Sequence, residues 1–182
     1  METPSLMPPT PDPTADLTLL AQQESLLRFT TFDPDTAWQL GSLLHTALLA
    51  RNAGGTVEIE RDGQLLFACT TPGAKPSQAD WIRRKRNTVH LLHRSSYTIG
   101  RELARDNATL ESAHGLSETD HAAHGGGFPL WLKANLADPE ATDILAGTII
   151  VSGLVQREDH NLVVTTIAEF LHITIPHLSP AP

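Results

Sequence analysis

Thr56-Val57-Glu58-Ile59-Glu60-Arg61-Asp62-Gly63-Gln64-Leu65-Leu66-Phe67-Ala68-Cys69-Thr70 decides the fold of this 182-residue chain. Thr56 to Glu60 alternate with the period of a strand, Asp62-Gly63 supplies a turn of the hairpin kind, and Gln64 to Thr70 continue as a more apolar strand. A β-hairpin results, and the segments around it define the rest. Upstream, Asp33 caps a helix that begins at Pro34, a residue favoured at the first helical position, and Gly54-Gly55 stops it. Ala37, Leu40, Leu44, Ala47 and Leu48 recur at helical spacing and give that helix one buried face. Gly41 on it implies a close backbone neighbour.

Downstream, Ser77 to about Asp106 reads as helix broken near Ser95-Ser96. Phe128 to Asn135 and Ile144 to Ser152 are β-like, the second apolar enough to be buried, and a last helix covers Glu158 to His172 with Val163, Ile167 and Phe170 on one face. Residues 17–29, rich in leucine, form a short helix. The order lacks a regular βαβ alternation and predicts an α+β fold whose sheet is mostly antiparallel and covered by helices. No internal repeat interrupts it.

Residues 1–16 are rich in proline and polar residues and read as a flexible tail, residues 17–178 as a single domain, and residues 179–182 as a flexible end. The formal net charge of −8 argues against general nucleic-acid binding, which selects basic surfaces. The N-terminus is not a secretory signal, and no stretch approaches the roughly 20 apolar residues that span a bilayer, so the expected location is the cytoplasm. Cys69, the one cysteine, excludes an internal disulfide and reads as a small buried residue.

Three stretches carry chemistry. His124-Gly125-Gly126-Gly127-Phe128-Pro129 joins a histidine to bare backbone, where the chain turns sharply or approaches something closely. Trp81-Ile82-Arg83-Arg84-Lys85-Arg86-Asn87-Thr88-Val89 places four successive cations on a helix, where they fan through about 300 degrees, so one lies near the apolar stripe. Lys85 and Arg86 are the candidates, and an inward cation needs a carboxylate, carbonyls or a bound anion. A solvated basic face with an internal ion pair is the alternative. Finally, Val151-Ser152-Gly153-Leu154 runs into a helix start at Asp159-His160, gathering amides and a hydroxyl; in the plainer reading Asp159 caps the helix and His160 is a solvated first-turn residue. An HGGG string also serves esterases as an oxyanion hole, but no Gly-x-Ser-x-Gly elbow accompanies it here. The pairs His90-x-x-His93 and His121-x-x-His124, with His114 and His160, could bind metal, although in a chain with nine histidines such pairs are weak signals.

Taken together these stretches resemble the haem-degrading-domain family, which is distantly similar to GlcG and HbpS. The resemblance runs from Phe32-Asp33 with Thr36-Ala37-Trp38 and Leu40-Gly41, through Trp81 to Lys85 with Asn87-Thr88-Val89, Ser95-Ser96 and the HGGGFP string, to Val151-Ser152-Gly153-Leu154 with Asp159-His160. Val155 stands where proline is expected, and Ala79-Asp80 where Asp-Asn is usual. The resemblance implies a profilin-like α-β-α sandwich around an antiparallel sheet, homo-oligomers built from dimers, and haem as a cofactor.

The leading expectation is a small-molecule or cofactor-binding protein with a pocket between the glycine-rich turn and the basic helix, binding or degrading haem. The site residues named for it are Trp81, Arg84, Lys85, Asn87, Ser96, His124, Gly125, Gly126, Gly127, Phe128, Ser152, Gly153, Asp159 and His160. His124 is the iron-directed group, Arg84 and Lys85 the partners of propionates or another small anion, and Phe128 an apolar wall. The alternative is an oligomeric scaffold in which Lys85 or Arg86 pairs internally with Asp159 or Glu158. A third reading is an enzyme using His124 or His160 as general base.

Overall fold

The structure, a computed structural model, describes residues 13–134, 137 and 141–178. The hairpin forms as the sequence predicts: β1 (Thr56–Arg61) and β2 (Gln64–Thr70) pair antiparallel. Asp62 (φ 52°) and Gly63 (φ 78°) both occupy the left-handed region that a two-residue turn between twisted strands requires. β4 (Ile144–Ser152) pairs antiparallel with β1 from Thr56↔Ser152 to Arg61↔Gly147, and β3 (Gly127–Leu132) closes the sheet on its other side. The order is β2-β1-β4-β3. Residues 146–152 of β4 are all buried, because that strand is central and covered on both faces, so its sequence is a continuous apolar run rather than an alternation.

Helices α2 (Pro34–Ala50) and α6 (Gln156–Leu171) cover one face of the sheet, and α3 (Ser77–Leu92) the other. α4 (Ser96–Asp106) lies beside α3, α1 (Pro13–Leu26) packs on α4, and α5 (Leu110–His114) is a short turn that the sequence reading did not anticipate. The Asp33 carboxylate accepts from the Thr36 amide at 2.7 Å, the expected cap of α2. That helix stops at Ala50, earlier than Gly54-Gly55, with Asn52 already left-handed. Gly41 makes room for the Phe67 ring, which lies 2.4 Å from where a Cβ would stand, so its close neighbour is a side chain and not a backbone. α3 ends at Leu92 with His93 at φ 58°, and Ser95 caps α4 by accepting from Thr98 N.

Between the sheet and α2/α6 lies the main core, with Leu40, Leu44, Val57, Ile59, Ile149 and Ile167 wholly buried. Each such side chain contributes about 1.5–3 kcal/mol by leaving water. Cys69 is only partly buried, and burial pushes its thiol up, away from thiolate chemistry.

Residues 13–16, placed by the sequence reading in the tail, form the first turn of α1; residues 1–12 and 179–182 lie outside the described residues. Polar locks hold α1 in place. The Asp16 carboxylate takes a two-pronged bond from Arg157 at 2.8 and 3.1 Å, and Arg101 Nε lies 3.1 Å from it. Glu24 accepts from Ser95 N, Thr98 Oγ1 and Arg94 Nε, so a carboxylate of α1 finishes the N-terminus of α4. Gln23 spans from the Pro176 carbonyl to the His160 imidazole.

Candidate functional site

The basic run fans out on α3 as helical geometry requires. Arg83 faces solvent and pairs with Asp80 and Asp120, Arg86 pairs with Glu58, and Arg84 stacks on Trp81 at 4.5 Å. Lys85 is the cation that turns inward. Its ammonium donates to Val151 O at 2.9 Å and to Asp159 Oδ2 at 3.1 Å, and both side chains are only 2–3% exposed. The Asp159 carboxylate also accepts from Leu154 N at 2.9 Å and Gly153 N at 3.4 Å. It therefore ties down the loop before α6, and α6 itself has no side-chain cap. Burial pulls the Lys85 pKa down against the attraction of Asp159, and burial pushes Asp159 up against the attraction of Lys85 and the loop amides.

The three glycines are explained by what crowds the turn: this pair, the start of α6 and Ser96. Gly126 has φ 112°, and a Cβ there would lie 2.2 Å from Val151 O and 2.9 Å from Lys85 Nζ. A Cβ on Gly125 would lie 1.8 Å from Gln156 O, at the first turn of α6. The bare backbone is what lets the turn press against the ion pair and the start of α6. Behind it, Gly153 and Gly55 cross so closely that a Cβ on the first would be 2.6 Å from the Cα of the second, and Gly54 meets the Gly73 carbonyl in the same way. The loop before the turn is laced to α3: Ala122 N donates to Thr88 Oγ1, and Asn87 Nδ2 to Asp120 O.

Beside the pair opens a cavity of about 310 Å³. Of the residues singled out from sequence, Trp81, Lys85, His124, Gly125, Ser152, Gly153 and Asp159 line it. The others do not. Arg84 borders a different cavity, and Asn87 serves the loop. Ser96 Oγ accepts from Gly127 N and donates to His124 O, while Gly126 and Gly127 pack behind the wall. Phe128 is wholly buried in the main core, because it faces α6 and not the turn. His160 is neither solvated nor at the cavity: its Nε2 meets Gln23, its ring lies 5.1 Å from that of Tyr97, and burial drops its pKa to about 3. That assigns it no general-base role at neutral pH on this cavity.

Lys75, Ser77, Gln78, Leu154 and Gln156 also line the cavity, and sequence reasoning missed them. They are ordinary residues at helix starts, with no spacing of their own; the signal lay in recognising that Pro76-Ser77 and Val155-Gln156 begin helices that meet. His124 stands at the rim, its ring 4.8 Å from Trp81. Burial and the charges of Lys85 and Arg84 lower its pKa, so the imidazole is neutral at pH 7. Among the described residues no three His, Cys, Asp or Glu side chains cluster as a metal site.

Residues 32–168 match the model of a family described as haem degrading protein HbpS-like. The chain belongs to that family. A UPF0303 protein of Serratia proteamaculans (strain 568) is 47% identical to this HbpS-like chain over 161 residues, 88% of the chain and 95% of the relative. The solved structure of the Ybr137w protein is similar with a TM-score of 0.78 and 22% identity over 88% of this chain and 92% of that one. The PduOC:Heme complex is similar at 0.59 and 18%, over 82% and 99%. At such identities the likeness is one of fold, and the fold is the profilin-like α-β-α sandwich with an antiparallel sheet. No helix among the described residues is long and apolar enough to cross a membrane.

The residues of this HbpS-like chain fit a haem only in part. A neutral imidazole at the rim suits iron. The walls do not suit the macrocycle: 310 Å³ is at the bottom of the roughly 300–1,000 Å³ range of small-molecule pockets, and only Trp81 and Leu154 offer large apolar surface. A broad apolar tetrapyrrole does not enter this cavity.

Proposed function

We propose that this HbpS-like protein binds a compact anionic small molecule in the cavity between the starts of α3 and α6. One observation carries the reading: Lys75, Lys85 and the neutral His124 converge there with two helix N-termini that have no side-chain cap. Backbone dipoles and amides at helix starts favour negative charge. Ser77, Ser152 and Gln156 add hydroxyl and amide partners at the same opening. Asp159 offsets part of the positive charge, which favours a small anion over a polyphosphate.

The scaffold reading required Lys85 and Asp159 to satisfy each other with no cavity beside His124. The pair is present, and so is the cavity, which favours ligand binding. Self-association is compatible with it: Trp38 (67% exposed) and Leu65 (56% exposed) lie near Phe67 on the free edge strand β2. A cytoplasmic homo-oligomer is the form we propose.

Native mass spectrometry of freshly purified protein reads assembly and retained ligand together. Calorimetry with inorganic phosphate and malonate then tests the site. Lys75→Ala and His124→Ala, both at the exposed rim, are each expected to weaken binding about tenfold, the scale of one charge-assisted hydrogen bond, with unchanged unfolding midpoints. No retained ligand and no saturable heat with either anion would sink the proposal.

Haem is the second reading, supported by the His124 imidazole against Trp81 and by the family; His124 would be the residue that holds its iron. A hemin titration that shifts the Soret band in the wild type and not in His124→Ala supports it. An absent shift, or one that survives the substitution, removes it.

A further inference from the structure

A second cavity, of about 270 Å³, opens on the other side of Trp81 and His124, between α4 and the loop around α5. His124 borders both cavities. Leu103, Leu110, Ala108, Ala122 and Ala123 supply its apolar wall, and its polar members are Arg84, Thr109, Glu118, His121 and His124.

Arg84 is the notable member. Its side chain is 17% exposed, its Nε is buried without a hydrogen-bond partner among the described residues, and its nearest carboxylate, the exposed Asp80, is 3.9 Å away. Stacking on Trp81 at 4.5 Å fixes the plane of the guanidinium. Nε is closed to any ligand in an open cavity, and the two terminal nitrogens, which donate no hydrogen bond among the described residues, present a planar fork that matches a carboxylate with two parallel hydrogen bonds.

We infer that this second cavity is a separate site for a small monocarboxylic acid with an apolar body, its carboxylate on Arg84 and its body against Leu103 and Leu110. Glu118 at the rim repels a second negative charge, which disfavours phosphate and leaves the monoanion. The inference does not rest on the anion site beside Lys85. His124 borders this cavity too, so an acid that offsets the Arg84 charge raises the His124 pKa.

Isothermal calorimetry with benzoate, hexanoate and acetate tests it, with inorganic phosphate as the probe of the first cavity. Benzoate and hexanoate are expected to bind saturably and acetate, lacking a body, much more weakly. Arg84→Gln is expected to weaken benzoate at least about tenfold, with Arg84→Lys in between, since an ammonium cannot form the fork. Ala104→Trp, at an exposed position of α4 on the cavity's edge, is expected to block it while Arg84 stays intact, which guards against misfolding of the arginine variants. Lys75→Ala is expected to leave benzoate unchanged. The proposal is overturned by no saturable binding of either larger acid, by equal affinity in Arg84→Gln and Ala104→Trp, or by loss in Lys75→Ala, which would put the acid in the first cavity. Phosphate binding in the same variants reports on the first site independently.

Discussion

Two buried ion pairs hold this molecule together, and they are built differently. Asp16 and Arg157 meet under α1 with two bonds, a second guanidinium from Arg101 and a hydrogen bond from Arg157 to the Tyr97 hydroxyl. Burial alone would lower Arg157, but the bonds to Asp16 and Tyr97 overcome it and the guanidinium is held more firmly charged. Lys85 and Asp159 meet through one bond at the edge of a cavity, and there burial wins: the ammonium is pulled down and the carboxyl pushed up. The comparison separates a pair whose bonds outweigh burial from a pair whose charged forms burial disfavours. The second borders a cavity.

Removing the fastening carboxylate breaks the comparison most severely. Asp16→Ala leaves two guanidiniums without their shared partner and is expected to cost about 3 kcal/mol, the lower end for splitting a buried pair. Urea unfolding measures it, and anion binding at the first cavity is expected to be unchanged in the folded protein. A loss under 1 kcal/mol would show that the cluster is screened like a surface pair.

Asp159→Asn tests the other side. Lys85 can shed its proton instead of standing charged and alone, so the loss of stability is expected to be smaller, about 1–2 kcal/mol, as for a weakened buried hydrogen bond. Phosphate affinity is expected to stay within a few-fold of the wild type, since the opposing carboxylate and the attracting ammonium charge are lost together. Calorimetry beside urea unfolding reads both, and a rise of about tenfold or more would show that Lys85 keeps its proton in the variant.

The pH profile provides the finest contrast. His160 falls from 6.5 to about 3 on folding, so between those values the unfolded chain binds the extra proton and stability drops as the solution is acidified. Asp159 is raised above 3.8, so its native form takes up a proton first and its contribution falls as pH climbs through that window. His160→Gln is expected to flatten the acid-side loss by up to about 1.4 kcal/mol per pH unit, and Asp159→Asn to steepen it. Unfolding midpoints from pH 4 to 7 decide, and parallel profiles for the two variants would refute the assignment.

Much of the sheet was legible because its signals are local. β4 begins at Ile144 and ends at Ser152 as read from its apolar run, and the hairpin turn and the Asp33-Pro34 helix start fall where their residues require. The site was legible in part. Helical geometry required an inward cation, but the choice between Lys85 and Arg86 depended on which carboxylate, Asp159 or Glu58, the tertiary fold delivered. Phe128 and His160 were misplaced because neighbours in sequence at the end of a turn or helix point to opposite sides of the sheet. The start of α1 was missed because Asp16 is anchored by Arg157, 141 residues away, and no local pattern announces that bond.

The crossing of Gly153 over Gly55, with Gly54 against Gly73, has a consequence for how such a protein can change. A wall made of main chain has no side chain to exchange, and adding one forces two loops apart. Change in this recess is thereby confined to its opening, at Lys75, Ser77, His124 and Gln156, where a substitution alters chemistry without moving the chain. The architecture fixes the shape of the recess and leaves its chemistry to the exposed positions at its mouth.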